Sequence, residues 1–267
     1  MGKRTVTICD HTFLEHTKSA SIGGDNLGVG PKYFEWEYAN AQSARFVTDG
    51  DIKDARGEGQ VAWLLEPYAL HQENYYRAMG KKFDAVLAHS KCGWMGAKFY
   101  PYGGSWIAFD RWGVHEKTKD VSLILSDKDT LPGHKLRHRA AEILKDKVDI
   151  FHHFPSKFEA LAPYRYSIVI ESVKNSWYFT EKLVDCLSVG TTPIYWGTPE
   201  VCKFFDEDGI IPVDSVAEIE KFVYMARTYG RESFEERRSV AEKNVELCRD
   251  WAVCEDNIYA MYPELFE

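Results

Sequence analysis

Between residues 121 and 228 the chain alternates continuously apolar runs with helical stretches, and few folds satisfy that order. VSLILSD (121–127), VDIFHHF (148–154), YSIVIES (166–172), TPIYWG (192–197) and GIIPVD (209–214) read as strands. Between them GHKLRHRAAEILKD (133–146), PSKFEALAPY (155–164), TEKLVDCLSVG (180–190), PEVCKFF (199–205) and SVAEIEKFVYMART (215–228) read as helices. Strands that are apolar on both faces and joined by helices form a parallel sheet covered on both sides. Thr180 is a candidate N-cap and Gly190 a closing glycine for the helix between them.

The first half carries the same alternation less regularly. RTVTIC (4–9), ARFVTD (44–49), QVAWLLEPY (60–68) and FDAVLAHS (83–90) read as strands, 71–82 as a helix, and AKFYPYGGSWI (97–107) as strand, turn, strand. A polar stretch, 110–120, joins the halves. The expected fold is α/β, two Rossmann-like domains facing a cleft. The first spans 1–115, the second 116–232, and helices over 233–267 close the chain and cross back to the first. Ligands of such sheets bind beyond the carboxyl ends of the strands.

A net charge of −8 argues against a nucleic-acid backbone as partner, because phosphate binding along a duplex needs a basic surface. No run of eighteen apolar residues exists, and the first residues lack the apolar core of a secretory signal, so the chain reads as soluble and cytoplasmic. Cys9, Cys92, Cys186, Cys202, Cys248 and Cys254 are scattered without a CxxC pair. They read as buried thiols of a reducing compartment, and no clustered ligand set for zinc is visible.

The segment richest in chemistry is 166–199. A buried strand ends at Glu171, a polar loop follows, and a helix starts near Thr180. Backbone N–H groups at a helix start attract anions such as a diphosphate, and Lys182 in that first turn adds a full positive charge. Glu181 could accept hydrogen bonds from sugar or ribose hydroxyls, and Tyr178 could stack or donate. The plainer reading makes Glu181 a helix-capping acid and Lys182 a solvated charge.

These residues also resemble the donor-binding signature of the α1,3/α1,4-fucosyltransferases, particularly their compact bacterial members. That family shows Phe-Glu-Asn at a strand end, then Tyr-x-Thr-Glu-Lys, an apolar helix, and Pro-Ile-Tyr-Trp-Gly-x-Pro. Here the counterparts are Ile170-Glu171-Ser172, Tyr178-Phe179-Thr180-Glu181-Lys182, and Pro193-Ile194-Tyr195-Trp196-Gly197-Thr198-Pro199. The likeness spans about residues 137–225. It departs at Ser172, where the family has Asn, and in the loop VKNSW. The resemblance implies a GT-B fold and an inverting transferase that needs no metal, with GDP-fucose as default donor. It implies donor contacts from Tyr178, Glu181 and Lys182, and a diphosphate-binding Arg on the first helix of the donor domain; Glu171 and Ser172 at the strand end are further donor-binding candidates. Arg137 fits that place, with Arg139 as the alternative. A guanidinium suits the role because its planar fork grips phosphate oxygens.

Inverting transfer needs a base for the acceptor hydroxyl. Glu66, directly after an apolar strand and before Pro67, is the first candidate. The family places a comparable Glu there. Asp10 is the second, followed by His11 and His89. Three alternatives stand beside this reading. The same fold could take a UDP-sugar. Asp127 and Asp129, an Asp-x-Asp after a strand, could hold a metal ion with a diphosphate. The chain could also be an idle nucleotide- or carbohydrate-binding module. The glycine-rich segment 21–31 lacks the Lys-Ser/Thr of a phosphate loop and reads as an acceptor-site loop. Tyr102 and Trp106 could form a sugar platform.

Overall fold

The computed structural model describes residues 2–11, 18–89, 96–152 and 156–267. Two parallel sheets organise them. The first contains β1 (Arg4–Cys9), β2 (Phe34–Tyr38), β3 (Phe46–Thr48), β4 (Val61–Leu64), β5 (Ala85–Ala88) and β6 (Ala97–Phe99), in the order β2-β1-β3-β4-β5-β6. Helix α1 (Gln72–Met79) lies between β4 and β5. The second contains β7 (Lys119–Ile124), β8 (Asp149–Phe151), β9 (Tyr164–Ile170), β10 (Thr192–Trp196) and β11 (Ile211–Pro212), in the order β11-β10-β9-β7-β8. Its helices are α2 (Pro132–Leu144), α3 (Lys157–Leu161), α4 (Glu181–Ser188) and α5 (Val216–Glu236).

Strand β9 is central, and five of its seven residues in a row are buried. It pairs with β10 from Tyr166 opposite Thr192 to Ile170 opposite Trp196, and with β7 on its other edge. The buried hydroxyls of Ser122 and Ser167 pair at 3.0 Å across β7 and β9, so this polar pair is satisfied inside the sheet.

The last two helices tie the halves together. Helix α6 (Arg238–Trp251) packs Val245 and Cys248 with Leu183, Val184 and Leu187 of α4. Helix α7 (Cys254–Met261) and the closing residues Leu265 and Phe266 enter the core of the first sheet, among Val6, Ile8, Phe34, Phe46 and Trp63. The buried carboxylate of Glu255 accepts hydrogen bonds from Ser19 Oγ (2.7 Å), the Ala20 amide (2.6 Å) and Ser21 Oγ (2.7 Å), fixing α7 to the glycine-rich segment.

Local departures from the sequence reading have physical causes. PEVCKFF folds only as the single tight turn Pro199–Lys203, after which Phe204 and Phe205 drop into the core. Only Ala97–Phe99 of 97–107 is a strand; Gly103 and Gly104, at φ +58° and +90°, turn the chain, and beyond Phe99 it pairs, among the described residues, only in isolated bridges, Gly103 with Thr180 and Ser105 with Ile22. Strand β2 was not anticipated. Phe34 is buried while Glu35 and Glu37 are exposed, the half-solvated pattern of an edge strand. Cys9, Cys186, Cys248 and Cys254 are buried free thiols, but Cys202 is exposed, and Cys92 lies outside the described residues. Residues 153–155, including the expected leading proline of α3, also lie outside them; Ser156 caps that helix by accepting from the Glu159 amide. No described helix is long and apolar enough to cross a membrane.

Candidate functional site

A cavity of about 390 Å³ opens at the carboxyl ends of β7 and β9. The chain leaves β7 for β8 on one side and returns with β9 on the other, so the strand order reverses there. Ligands of open α/β sheets favour such a point. Ser126, Lys128, Arg137, Ser172, Tyr178 and the start of α4 line one wall, while Glu66, Leu70, Tyr102 and Trp106 of the first half line the other.

The start of α4 is held from below by Glu171. This carboxylate is fully buried at the end of β9. It accepts from the Thr180 amide at 2.9 Å and the Thr180 hydroxyl at 2.8 Å. Thr180 Oγ1 in turn caps α4 by accepting from the Lys182 amide at 3.3 Å. Lys182 Nζ lies 3.0 Å from Glu181 Oε1 and 3.8 Å from Glu171 Oε2. Burial by itself would lower its proton affinity, yet the two carboxylates hold its ammonium above its ordinary pKa. Glu181 is likewise desolvated, but Lys182 and Lys157 bring its pKa down to about 2. It is therefore an obligate hydrogen-bond acceptor near neutral pH.

Helix α2 brings in the second cation. Gly133, in its first turn, sits so close to β9 that an added Cβ would stand 1.8 Å from the Glu171 carbonyl oxygen. The Gly133 amide donates to Ser172 O at 3.1 Å. That contact carries Arg137, one turn on, to the cavity wall, buried and donating to Ile170 O and to Ser126 Oγ (3.4 Å). Arg139, the alternative, is exposed and does not line the cavity. His134 was not anticipated. It is buried in the first turn of α2, and its Nδ1 accepts from the Leu131 amide at 3.3 Å. Burial and the charges of Arg137, Lys128 and Lys182 lower its pKa to about 4. No sequence periodicity marks such a histidine; only the assembled charges do.

On the opposite wall Glu66 follows β4, half-buried, with its amide donating to Asp49 Oδ2 at 3.2 Å and its carbonyl accepting from Tyr75 at 3.0 Å. Asp49, missed by sequence reading, also accepts from the Leu65 amide at 3.0 Å. Burial pushes its pKa up to about 8, with Glu66 adding to the rise. His89 is fully buried beneath this wall, its ring 4.8 Å from that of Tyr178. Burial lowers its pKa to about 4.

Other candidates stand elsewhere. Asp10 is buried at the end of β1 and lines a separate cavity with His11 and Tyr38. His11 Nδ1 is 2.8 Å from Asp51 Oδ1 and its Nε2 is 2.6 Å from the Tyr38 hydroxyl. Cys9, His11 and Asp51 present ligand atoms within 4.8 Å of one another, a cluster that is scattered in sequence. Asp127 and Asp129 are exposed, and neither lines the main cavity, although Ser126 and Lys128 beside them do.

No protein-family model matches the chain. A stretch of 58 residues is 36% identical to an α-(1,3)-fucosyltransferase, FucT, of Helicobacter pylori; it covers 22% of this chain and 12% of that protein. The fold is similar to that of an α1,3-fucosyltransferase solved with GDP-fucose, with a TM-score of 0.58 at 13% identity, over 100% of this chain and 91% of the other. A structure of an α1,3-fucosyltransferase with GDP gives 0.56 at 14% identity, over 89% and 81%. An α-glucosyltransferase in complex with UDP and a mismatched DNA 13-mer gives 0.55 at 10% identity, over the whole of both chains. The two parallel α/β units are thus those of a GT-B fold, and the fucosyltransferase likeness read from the sequence recurs in both the local match and the architecture.

Proposed function

We propose that this fucosyltransferase-like chain is an inverting glycosyltransferase. It moves a sugar, fucose on the family likeness, from a nucleoside-diphosphate sugar to a hydroxyl of a glycan. Residues 116–232 form its donor side, 1–115 its acceptor side, and 233–267 the strap between them. The observation that carries the reading is the gathering of Lys182, Arg137, Glu181 and the start of α4 around one cavity, with Glu66 across it.

In the reaction the acceptor oxygen bonds to the anomeric carbon as the bond from that carbon to the phosphate oxygen breaks. The acceptor proton passes to Glu66, and the negative charge left on the diphosphate falls to Lys182, Arg137 and the amides of α4. Fixed positive charge on a leaving group, in a site already desolvated, is an effective way to lower such a barrier. Glu181 and Ser172 serve as hydrogen-bond partners for donor hydroxyls, and Tyr178 closes the wall between donor and acceptor.

Melting curves with GDP, UDP, GDP-fucose and UDP-glucose, each with and without Mn²⁺, test the reading, since a ligand of the folded state raises its melting temperature. We expect metal-independent stabilisation by GDP compounds, lost in Lys182→Ala. Glu66→Gln should keep that stabilisation and lose transfer by roughly 10²–10⁴-fold. A preference for UDP would change the donor within the same fold. Strict dependence on Mn²⁺ would favour Asp127 and Asp129. Stabilisation by none of the four would sink the proposal.

A further inference from the structure

We infer that Trp106 and Lys157 form the nucleobase end of the cavity, Trp106 as a stacking face and Lys157 as the donor that reads a carbonyl oxygen of the base. The inference rests on the donor site proposed above. Ion pairs order the cavity residues around the start of α4, with Glu66 on the opposite wall. Lys182 then pairs with Glu181 at 3.0 Å, and Lys157 lies 3.8 Å beyond Glu181. Lys157 Nζ stands 2.9 Å from Asp185 Oδ2 and 5.5 Å from the centre of the Trp106 ring. With the sugar near Glu66 and the diphosphate at Lys182 and Arg137, the ribose falls at Glu181. The base falls at Trp106.

Trp106 is built to stay there. It lines the cavity with 44% of its surface exposed. Its amide donates to Asp185 Oδ1 at 2.8 Å, and its carbonyl accepts from the Asp25 amide at 3.1 Å. The glycine-rich segment is its seat. A Cβ at Gly23 would stand 3.0 Å from the indole, and one at Gly24, where φ is +55°, would stand 2.7 Å from the Trp106 carbonyl oxygen. This segment therefore positions an aromatic face; it is not itself a phosphate loop. Asp185 is fully buried and shared among Ser105 Oγ (3.1 Å), the Trp106 amide and Lys157, so it fixes the ammonium as well.

An ammonium carries three donors and no acceptor. With one committed to Asp185, the others suit the O6/N7 edge of guanine or O4 of uracil, where adenine and cytosine present an amino group. Guanine and uracil nucleotides should therefore be preferred to adenine and cytosine ones.

Calorimetric titration of the full chain with GDP, UDP, ADP, CDP, GDP-fucose and inorganic pyrophosphate tests this. The parent should favour GDP or UDP over ADP and CDP. Trp106→Ala should weaken nucleotide binding by roughly tenfold or more, the scale of a lost base–aromatic stack, and leave pyrophosphate unchanged. Trp106→Phe should recover most of the loss. The Lys157→Met, Asp185→Asn double variant, which removes both charges together, should still bind nucleotides but lose the base preference. Equal weakening of pyrophosphate and GDP in Trp106→Ala would overturn the inference, as would loss confined to GDP-fucose. Unchanged GDP binding in Trp106→Ala, with Lys182→Ala abolishing it, would overturn the inference and leave the donor site standing. A parent that binds no nucleotide would overturn both.

Discussion

Replacing Glu171 should unfasten the proposed donor site from beneath without touching the cavity surface. Its carboxylate is fully buried and takes two hydrogen bonds from Thr180, the residue that caps α4. Glu171→Ala strips the Thr180 amide and hydroxyl of their acceptor in a buried setting. Each stripped donor costs about 1–3 kcal/mol, so the pair costs about 4 kcal/mol. Lys182 adds little to that sum, since its side chain is 28% exposed and keeps Glu181 at 3.0 Å. For a chain of this size such a loss lowers the melting temperature by roughly 10 °C. Glu171→Gln keeps an oxygen facing Thr180 and should cost about 1 kcal/mol, or roughly 3 °C. Nucleotide binding should follow the same order, because the α4 amides and Lys182 depend on Thr180 for their placement. Melting curves and GDP titrations of both variants decide the matter. If Glu171→Ala melts within 2 °C of the parent, or no lower than Glu171→Gln, the reasoning about a buried acceptor at the root of α4 is wrong.

Two further outcomes follow from the same geometry. Gly133→Ala puts a methyl group against the Glu171 carbonyl oxygen, so α2 must shift, carrying Arg137 with it; we expect about 1–3 kcal/mol of destabilisation by denaturant melts and weaker diphosphate binding. Acid should destabilise the fold through His89. Its pKa falls from the ordinary 6.5 to about 4 on burial, so the unfolded chain binds more protons in that window and stability is lost as pH drops from 6.5 towards 4. The loss attributable to it is about 3 kcal/mol, and His89→Phe should flatten that part of the stability–pH profile; an unchanged slope would remove His89 as the cause.

The second sheet was legible in the sequence because its strands are buried on both faces, and continuous apolar runs such as YSIVI admit little else. The gathering of residues at the proposed donor segment was legible for a related reason. Glu171, Thr180, Glu181 and Lys182 lie within a dozen residues, so one strand end and one helix start place them together. Arg137 was already the first choice on its helix, with Arg139 as the alternative; the contact of Gly133 with β9 sets the rotation of α2 that brings Arg137, and not Arg139, to the cavity wall. The edge strand β2 and the turn at 199–203 were missed because short, half-solvated segments carry weak periodicity.

What only the tertiary structure decided is the far wall. Trp106, Glu66 and the seat at Gly23–Gly24 meet Asp185, Lys157 and Glu181 across distances of tens of residues along the chain. The same folding parted Asp10 from Glu66 by giving each its own cavity, and kept Asp127 and Asp129 in solvent. Local sequence sets which groups a strand end or helix start can offer, because those geometries are short-ranged. Which offers face one another is set by how two sheets and the strap of α6 and α7 pack, and that is a property of the whole core.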